Sequence, residues 1–318
     1  MRTVSDPRID GNARTDAQLR DRAVAAYLGL AIGDALGATV EFMTPREIQD
    51  HYGTHHAIIG GGWLRLPKGR VTDDTEMSLA LGRAILERDG LDAPAIAQAF
   101  SDWMRGKPVD IGHTVRRGIS LYRRTGATEV PEHEYDAGNG ACMRCLPIAL
   151  YTLGAEPEAV DRANRLQAHI THHNALSDLG TLTVIRLTQT ALLGGTRQDL
   201  RQLAEALVAT EPRFAFDGGR RQDSPGGYIV ETLRAVFQAL FATDSFESAL
   251  IDVVNRGGDA DTTGAILGMI AGALYGFDAI PRRWLKALDR DTARLCRRQA
   301  LDLLSLSADR KQIIDVGL

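Results

Sequence analysis

The sequence has few cysteines and no excess of charge of one sign. Three cysteines stand among 318 residues, so a disulfide framework is not expected and a reducing compartment fits. The formal net charge is -4, with no block of like charges. This pattern excludes the basic footprint of a nucleic-acid-binding protein and the polybasic patch of a membrane-surface protein. Any partner is therefore recognised by a local site.

A signal peptide and a membrane span are also missing. The first twenty residues, MRTVSDPRIDGNARTDAQLR, are polar and lack the apolar stretch of an export signal. We expect residues 1–20 to form a disordered lead, residues 311–318 to form a short tail, and the protein to be cytoplasmic. Apolar runs elsewhere are shorter than the roughly 20 residues that a spanning helix needs.

Cys142 and Cys145 form a CxxC pair that has two interpretations. The spacing occurs in redox centres and in half of a zinc site. No second CxxC is present, and no strand-like segment precedes this one as in thioredoxin-like proteins. The pair is therefore interpreted as two small residues packed inside a helix.

Apolar residues recur at three- and four-residue spacing along most of the chain, and strand-like alternation is almost absent. The segments between are short and rich in Gly, Pro, Asp and Asn, without a linker that would mark a domain boundary. The sequence therefore predicts an all-α fold with one compact domain over residues 21–310. The predicted helices cover 17–37, 75–89, 93–105, 113–124, 140–153, 158–170, 175–193, 198–210, 227–242, 246–255, 262–276 and 289–306.

Two of these helices have a face with almost no side chains. Their glycines recur at every fourth position, as Gly29, Gly33 and Gly37 in one helix and Gly264, Gly268, Gly272 and Gly276 in the other. Since glycine costs up to about 1 kcal/mol relative to alanine inside a helix, such faces indicate compensation by close backbone packing. We expect both helices deep in the fold, and packing between them would bring Asp34 near Asp259 and Asp261.

Clusters of Asp and Thr begin two helices, in VTDDTEM and in GGDADTTGA. One interpretation is capping, with Asp73 and Glu76 as a capping box and Asp261 as the cap of a helix that begins at Thr262. Each cluster nevertheless has more anionic oxygens than a cap uses. Four carboxylates brought together would repel each other unless cations lie between them, and hard oxygen ligands favour Mg²⁺, Mn²⁺ or Ca²⁺. The clusters therefore predict a metal site, and two ions sharing a carboxylate would balance its charge.

Other acidic motifs do not fit. A DDxxD prenyl-diphosphate motif needs an acid where Met77 stands, and neither cluster continues as an EF-hand loop. An HD-type phosphohydrolase needs an adjacent His–Asp pair, whereas His172 and His173 are followed by Asn174.

The combination resembles the ADP-ribosylglycohydrolase family from about residue 22 to residue 306. The resemblance rests on VTDDTEM and GGDADTTGA, separated by a long helical body and preceded by LAIGDALGATVEF. Further stretches are similar to the dinitrogenase-reductase-activating branch, namely GGGWLRL, PVDIGHT, DAGNGACMRCLP and THHNALSD.

The resemblance implies a dinuclear metal site filled by Mn²⁺ or Mg²⁺. The residues that match its ligand set are Thr72, Asp73, Asp74, Asp259, Asp261 and Thr262. Glu41 and Asp110 match acids beside the active site and are candidates for proton transfer, without an assignment of acid and base between them. Asp34 is expected to support the metal ligands from behind. Asp110 has an alternative role as a cap of the next helix.

The resemblance also implies residues that bind the substrate. Gly138, Asn139 and Gly140 match a loop in which backbone N–H groups at a helix start meet ADP-ribose phosphates, with a plain turn and N-cap as the alternative. Tyr228 matches an aromatic residue at the rim of the site. His172 is either a substrate contact or a structural histidine. His113 occupies a position where the branch usually has Asn, which bears on substrate affinity or its pH dependence.

The implied activity is hydrolysis of the N-glycosidic bond between ADP-ribose and an arginine of a modified protein. In the branch, that protein is dinitrogenase reductase, the iron protein of nitrogenase, and a PII signalling protein is the expected regulator. Three alternatives stay open. They are hydrolysis of serine-linked or O-acetyl-ADP-ribose, non-catalytic ADP-ribose binding, and dimetal phosphoesterase activity on another helical fold.

Overall fold

The computed structural model describes residues 7–307, and in that range the fold is built from α-helices. Besides the α-helices, these residues form short 3-10 helices and two isolated β-bridges, Gly61 with Leu66 and Gly138 with Tyr228. The all-α prediction is therefore confirmed for the described residues. The helices are α1 (Pro7–Gly37), α2 (Pro45–Tyr52), α3 (Asp73–Arg88), α4 (Ala93–Arg105), α5 (His113–Thr125), α6 (Leu146–Tyr151), α7 (Pro157–Ala168), α8 (Ala175–Leu192), α9 (Arg197–Thr210), α10 (Ile229–Ala242), α11 (Phe246–Val254), α12 (Ala260–Tyr275), α13 (Arg282–Ala287) and α14 (Arg290–Ser305).

The structure differs from the predicted boundaries mainly at short or irregular segments. Helices α2 and α13 were not predicted. The helix predicted over 140–153 forms only at Leu146–Tyr151, because residues before it form turns and Pro147 lies at the helix start. The prediction that Cys142 and Cys145 pack inside a helix is therefore wrong in its secondary structure, although both side chains are buried.

Helix α1 begins at Pro7, so it extends through part of the segment 1–20 that was predicted to be a disordered lead. Proline is well tolerated in a first helical turn, where its missing N–H has no intrahelical partner. Leu19 and Ala23 lie on the buried face of α1. Residues 1–6 and the predicted tail at 311–318 lie outside the described residues, and the domain limits at 21 and 310 stay predictions.

The glycine faces of α1 and α12 meet in the middle of the fold. No other helix pair within residues 7–307 makes as extensive a contact. A Cβ atom built on Gly33 would lie 1.9 Å from the carbonyl oxygen of Gly264, and one on Gly29 would lie 2.1 Å from that of Gly268. The helices can approach this closely only without side chains. The prediction that both helices lie deep in the fold is confirmed, since α12 is buried from Ala260 to Ala273.

This packing sets the position of the two predicted acidic clusters. The helices run antiparallel, so the end of α1 at Gly37 lies against the beginning of α12 at Ala260. Helix α3 begins beside them, held by hydrogen bonds from Thr72 and Thr75 to Asp34 of α1. The beginnings of α3 and α12 therefore meet at one end of the α1–α12 pair. Within residues 7–307, no helix is both long enough and apolar enough to cross a bilayer.

Candidate active site

The predicted metal ligands of α3 and α12 lie together. The Thr72 hydroxyl is 3.2 Å from Asp74 Oδ2 and 3.4 Å from Asp261 Oδ2. The Thr262 hydroxyl, from the other helix, is also 3.4 Å from Asp74 Oδ2. Oxygens that are almost 190 residues apart in the sequence thus form one cluster.

The capping interpretations of both clusters are wrong. The N-cap of α3 is Thr72, whose side chain makes no capping hydrogen bond. Glu76 contributes to no capping box, because it accepts hydrogen bonds from Arg70 and Trp103 instead. Helix α12 begins at Ala260, before Thr262, and its N-cap Asp259 makes no side-chain capping bond either. Asp261 instead accepts a hydrogen bond from the backbone N–H of the next residue, Thr262, at 2.9 Å.

Asp34 lies behind the cluster and holds Thr72 in place. Its carboxylate accepts hydrogen bonds from the Thr72 backbone N–H at 2.9 Å and from the Thr72 hydroxyl at 3.0 Å. The Thr75 hydroxyl donates to the same carboxylate at 2.5 Å. Burial raises the pKa of Asp34 to about 6, although these hydrogen bonds favour the charged form. Asp34 thus supports the cluster, as the sequence suggested, without facing the cavity.

Glu41 joins the acidic cluster from the turn that follows α1. Carboxylate oxygens of Glu41, Asp259 and Asp261 lie within 4.8 Å of one another. The Trp63 indole N–H donates to Glu41 Oε2 at 2.6 Å. Sequence reasoning placed Glu41 at the site but did not identify Trp63, whose only signal was its place in GGGWLRL.

Phe42 and Trp63 form an aromatic ledge at the mouth of the site. Their ring centroids are 5.3 Å apart. Phe42 is 64% exposed and Trp63 is 52% exposed, which is unusual for side chains of this size. Phe42 also has a positive φ of 62°, a backbone conformation that L-residues rarely adopt. Two exposed aromatic rings held beside a buried carboxyl group indicate a binding surface.

The cluster is rich in negative charge. Burial raises the pKa of Glu41 to about 8 and, with the charge of Asp110, that of Asp73 to about 8. Burial also raises the pKa of Asp74, Asp259 and Asp261. Within residues 7–307, none of these carboxylates forms an ion pair with Arg, Lys or His.

One buried oxygen of the cluster has no partner. Among the described residues, Asp74 Oδ1 makes no hydrogen bond although it is shielded from solvent. Buried carboxylates normally accept hydrogen bonds or bind a cation, because an unpaired charge is costly. The donor set consists of carboxylate and hydroxyl oxygens, which suits a hard divalent cation.

The cluster forms the floor of a cavity of about 360 Å³. The floor contains Asp73, Asp259, Asp261 and Thr262, and the walls contain Glu41, Asp110, His113, Gly138, Asn139, Gly140 and His172. Thr72 and Asp74 lie under this floor. A larger groove of about 810 Å³ runs over α3, α4 and α5, but its lining contains none of the predicted site residues.

Asp110 and His113 lie where α5 begins. Asp110 accepts a hydrogen bond from the next residue, Ile111, at 2.8 Å. The N-cap of α5 is Gly112, so the alternative that Asp110 caps this helix is wrong. The Gly112 N–H instead points to Asp73 Oδ2 at 3.4 Å, which ties this segment to the acidic cluster.

The Gly138–Gly140 loop differs from the expected phosphate loop. Its first two N–H groups are already used, because Gly138 donates to Asp136 and Asn139 donates to Gly227. No helix starts there, since α6 begins at Leu146. The expected helix start is therefore wrong, and so is the N-cap of the alternative, whereas the turn of that alternative is present. Phosphate binding by this loop stays a prediction.

The Asn139 side chain contacts the acidic cluster directly. Its Nδ2 donates to Asp259 Oδ2 at 2.7 Å and to the Thr232 hydroxyl at 3.0 Å. Tyr228 pairs with Gly138 through the backbone bridge, but its side chain does not line the cavity. Tyr228 is 39% exposed and lies beside Arg213. The loop thus supports the site chiefly through Asn139.

Comparisons with known proteins agree with this arrangement. Residues 15–312 match the model of the ADP-ribosylglycohydrolase family. The chain is 50% identical over 293 residues to ADP-ribosyl-[dinitrogen reductase] glycohydrolase of Rhodospirillum rubrum, covering 92% of this chain and 99% of that protein. It is 30% identical to ADP-ribosylarginine hydrolase Tri1 of Serratia proteamaculans, covering 86% of this chain and 76% of that one.

A solved structure shows the same fold. It is described as an ADP-ribosylglycohydrolase-related protein complex, with a TM-score of 0.81 and 34% sequence identity. The match covers 91% of this chain and 99% of that one. The chain therefore belongs to the ADP-ribosylglycohydrolase family.

Proposed function

We propose that the protein hydrolyses the N-glycosidic bond between ADP-ribose and an arginine side chain of a modified protein. The observation that carries the proposal is the convergence of buried carboxylate and hydroxyl oxygens on the floor of the cavity, where no ion pair with the described residues neutralises them. The relative at 50% identity is named as a glycohydrolase of ADP-ribosyl-[dinitrogen reductase], and the relative at 30% identity is named as an ADP-ribosylarginine hydrolase. Dinitrogenase reductase is accordingly the proposed protein substrate, and regulation by a PII signalling protein stays a prediction.

Two divalent cations, Mn²⁺ or Mg²⁺, fit the donor set of this floor. The residues that would hold them are Thr72, Asp73, Asp74, Asp259, Asp261 and Thr262. When bound, such ions neutralise the carboxylates and polarise sugar oxygens and water. Asp34 would keep the Thr72 hydroxyl in position, and Asn139 would do the same for Asp259.

Glu41 and Asp110 lie in the cavity wall, where they can stabilise positive charge on the substrate and transfer protons. Cleavage at the anomeric carbon builds positive charge on the ribose, which nearby carboxylates stabilise. The raised pKa of Glu41 lets this carboxyl group hold a proton near neutral pH. Because Trp63 donates to Oε2, the proton is better placed on Oε1. Glu41 and Asp110 are therefore the candidates to protonate the leaving guanidine and to accept a proton from water, without an assignment between them.

The aromatic ledge favours arginine over serine as the linked residue. A guanidinium group is planar and cationic, and it stacks on aromatic rings while it donates to a carboxylate. Phe42 and Trp63 supply the rings, and Glu41 supplies the carboxyl group beside them. A serine-linked or O-acetyl-ADP-ribose has no planar cationic group that could stack on these rings. A non-catalytic ADP-ribose binder would be expected to lack some ligands, whereas all six are present.

The test is release of ADP-ribose from arginine-ADP-ribosylated dinitrogenase reductase, with a serine-ADP-ribosylated peptide assayed in parallel. Each substrate is incubated with Mn²⁺ and with a chelator. We expect metal-dependent release from arginine alone. Release from serine alone would overturn the substrate assignment, and failure to release from either would favour the binding protein. Mn²⁺-dependent phosphate release from nucleotides would indicate a phosphoesterase instead.

A further inference from the structure

A buried arginine near the cavity, Arg144, forms no ion pair among the described residues, although the charge of Asp73 acts on it. Arg144 is fully buried, and its guanidinium lies 4.6 Å from the centre of the Phe100 ring. Among the described residues, its Nη1 atom makes no hydrogen bond. Burial lowers the pKa of Arg144 to about 9, so it stays charged at neutral pH. A buried charge is costly, which raises the question of what Arg144 does.

The remaining nitrogens of Arg144 make three hydrogen bonds. Nε donates to the Gln167 side chain at 3.0 Å, and Nη2 donates to the Gln167 carbonyl at 2.9 Å. Nη2 also donates to the Thr171 hydroxyl at 2.8 Å. A guanidinium has no acceptor, so the Thr171 oxygen must accept this bond.

The Thr171 hydroxyl has one other partner, His172 Nδ1, at 2.8 Å. Among the described residues, its hydrogen has no acceptor within reach besides Nδ1. A buried hydroxyl normally donates its hydrogen, which places the lone pair on Nδ1. Burial, together with the charge of Arg144, lowers the pKa of His172 to about 3, so the ring is neutral. A neutral imidazole with an unprotonated Nδ1 carries its hydrogen on Nε2.

The Nε2 side of His172 lies against the loop of the cavity wall. A Cβ atom built on Gly138 or on Gly140 would lie 3.0 Å from His172 Nε2. Because both positions lack a side chain, the ring can pack against the backbone here, and His172, although only 2% exposed, lines the cavity. Within residues 7–307, the hydrogen bond of its ring runs through Nδ1, and Nε2 makes none.

We propose that Arg144 and Thr171 are positioning residues that lock His172 in the Nε2–H form, so that it donates to an acceptor oxygen of bound ADP-ribose. The choice of ADP-ribose as ligand rests on the proposed function. The lock itself rests on the donor and acceptor chemistry of three side chains. The lock makes the cavity wall at Gly138 and Gly140 a hydrogen-bond donor.

The first measurement is the tautomer of His172 in the ligand-free protein. Nitrogen-15 NMR distinguishes protonated from unprotonated ring nitrogens, and a His172→Gln variant identifies the signals. We expect Nε2 to be protonated and Nδ1 unprotonated in the wild-type protein. Thr171→Val removes the hydroxyl at nearly constant volume, so it should give a mixture of tautomers, and Thr171→Ser should restore the single form.

The second measurement is the affinity for ADP-ribose, by calorimetry on the same metal-loaded proteins. Thr171→Val should bind ADP-ribose about 3- to 10-fold more weakly, because one hydrogen bond is lost. Thr171→Ser keeps the hydroxyl, so it should bind ADP-ribose almost as tightly as the wild type. Thr188→Val is the control, because the Thr188 hydroxyl is buried in α8 and bonds only to the Val184 carbonyl. Its tautomer signals and affinity should match those of the wild type.

The outcomes separate this proposal from the proposed function. An unchanged tautomer and an unchanged affinity in Thr171→Val would overturn the lock. A wild-type protein that shows the Nε2–H form but does not bind ADP-ribose would support the lock and overturn the proposed function. A merely structural role for Thr171 would lower the unfolding temperature without altering the tautomer, and that result also contradicts the lock.

Discussion

Helix α12 has two regions of opposite character. Its first turn, with Asp261 and Thr262, belongs to a crowded acidic cluster. From Gly264 onward, α12 has no charged side chains, and its backbone packs directly against the backbone of α1. The second region lowers the free energy of the fold through close contact, whereas the first raises it through burial of like charges.

The comparison shows how a costly site is held in place. The carboxylates repel one another, so nothing within the cluster would keep them together without cations. The glycine contacts fix α12 against α1, and Asp34 fixes α3 against α1. The apolar region therefore holds the acidic region in place, and substitutions in the two regions should act in opposite directions.

The largest expected effect is on catalysis in the acidic region. Asp73→Asn and Asp261→Asn each remove a predicted metal ligand and should lower turnover at least about 100-fold, since even indirect supports of metal sites contribute 10- to 100-fold. Both variants should unfold at a higher temperature than the metal-free wild type, because a buried charge is removed. Activity assays and thermal unfolding at pH 8 measure the two effects.

The control for these variants is Asp291→Asn, the same chemical change in an exposed carboxylate that pairs with Arg294 on α14. This variant should alter neither the turnover nor the unfolding temperature. Near-normal turnover in both acidic variants would contradict the metal assignment.

The next effect is on stability in the glycine region. Gly33→Ala places a Cβ atom 1.9 Å from the Gly264 carbonyl oxygen, so the two helices must separate. We expect a loss of about 3 kcal/mol in the free energy of unfolding, as for overpacked cores. Chemical denaturation measures the loss. Gly90→Ala is the control, since its Cβ would meet nothing closer than 3.6 Å. Equal stability of the two variants would show that the glycine contact is not close in solution.

A third effect concerns pH and divalent cations. In the metal-free protein, the pKa values of Glu41 and Asp73 are raised to about 8, so the folded state binds more protons than the unfolded state. Their protonation therefore stabilises the fold fully below pH about 4, and this contribution disappears as pH rises to about 8. Thermal unfolding should show a fall of about 5 °C between pH 5 and pH 8.

Mn²⁺ should reverse this trend. Its carboxylate ligands must lose their protons, so it should raise the unfolding temperature more at pH 8 than at pH 5. In Asp73→Asn, both the pH trend and the Mn²⁺ effect should shrink. A stability that is independent of pH in the metal-free protein would contradict the charge crowding described for the first turn of α12.

The smallest effect concerns the aromatic ledge. Trp63→Phe keeps an aromatic ring but removes the N–H that donates to Glu41. We expect kcat/KM for the arginine-linked substrate to fall by about 3- to 10-fold, from the loss of one hydrogen bond to a carboxyl group. Trp103→Phe is a matched control, because its indole donates to Glu76 outside the cavity. Equal effects of the two variants on kcat/KM would contradict a role of the aromatic ledge in binding the substrate.

The sequence predicted the parts of the site that lie in repeated or clustered patterns. Glycines at every fourth position were sufficient to predict that α1 and α12 lie deep in the fold, although not that they contact each other. The two Asp–Thr clusters were sufficient to predict an acidic site. The turns at 141–144 were not predicted, because local periodicity indicated a helix from residue 140. The contact of Asn139 with Asp259, which lies 120 positions away, has no local signal in the sequence.

The contacts of single side chains were also beyond prediction. Trp63 reaches Glu41 across a turn, and Arg144 reaches Thr171 between two helices. Neither pair has a characteristic spacing. Such contacts follow from how the helices pack, and periodicity specifies which face of a helix is buried but not which residue it meets.

The glycine contact has a further consequence for register. Because its small residues recur every four positions, a slide of α1 along α12 by one turn would again place glycine against glycine. Backbone packing alone therefore permits several alignments of similar quality. The carboxylate of Asp21, in the middle of α1, accepts a hydrogen bond from the backbone N–H of Phe277, just beyond α12, at 2.9 Å. Contacts of this kind select one alignment, and that alignment alone brings Asp34, Asp74 and Asp261 to the same level.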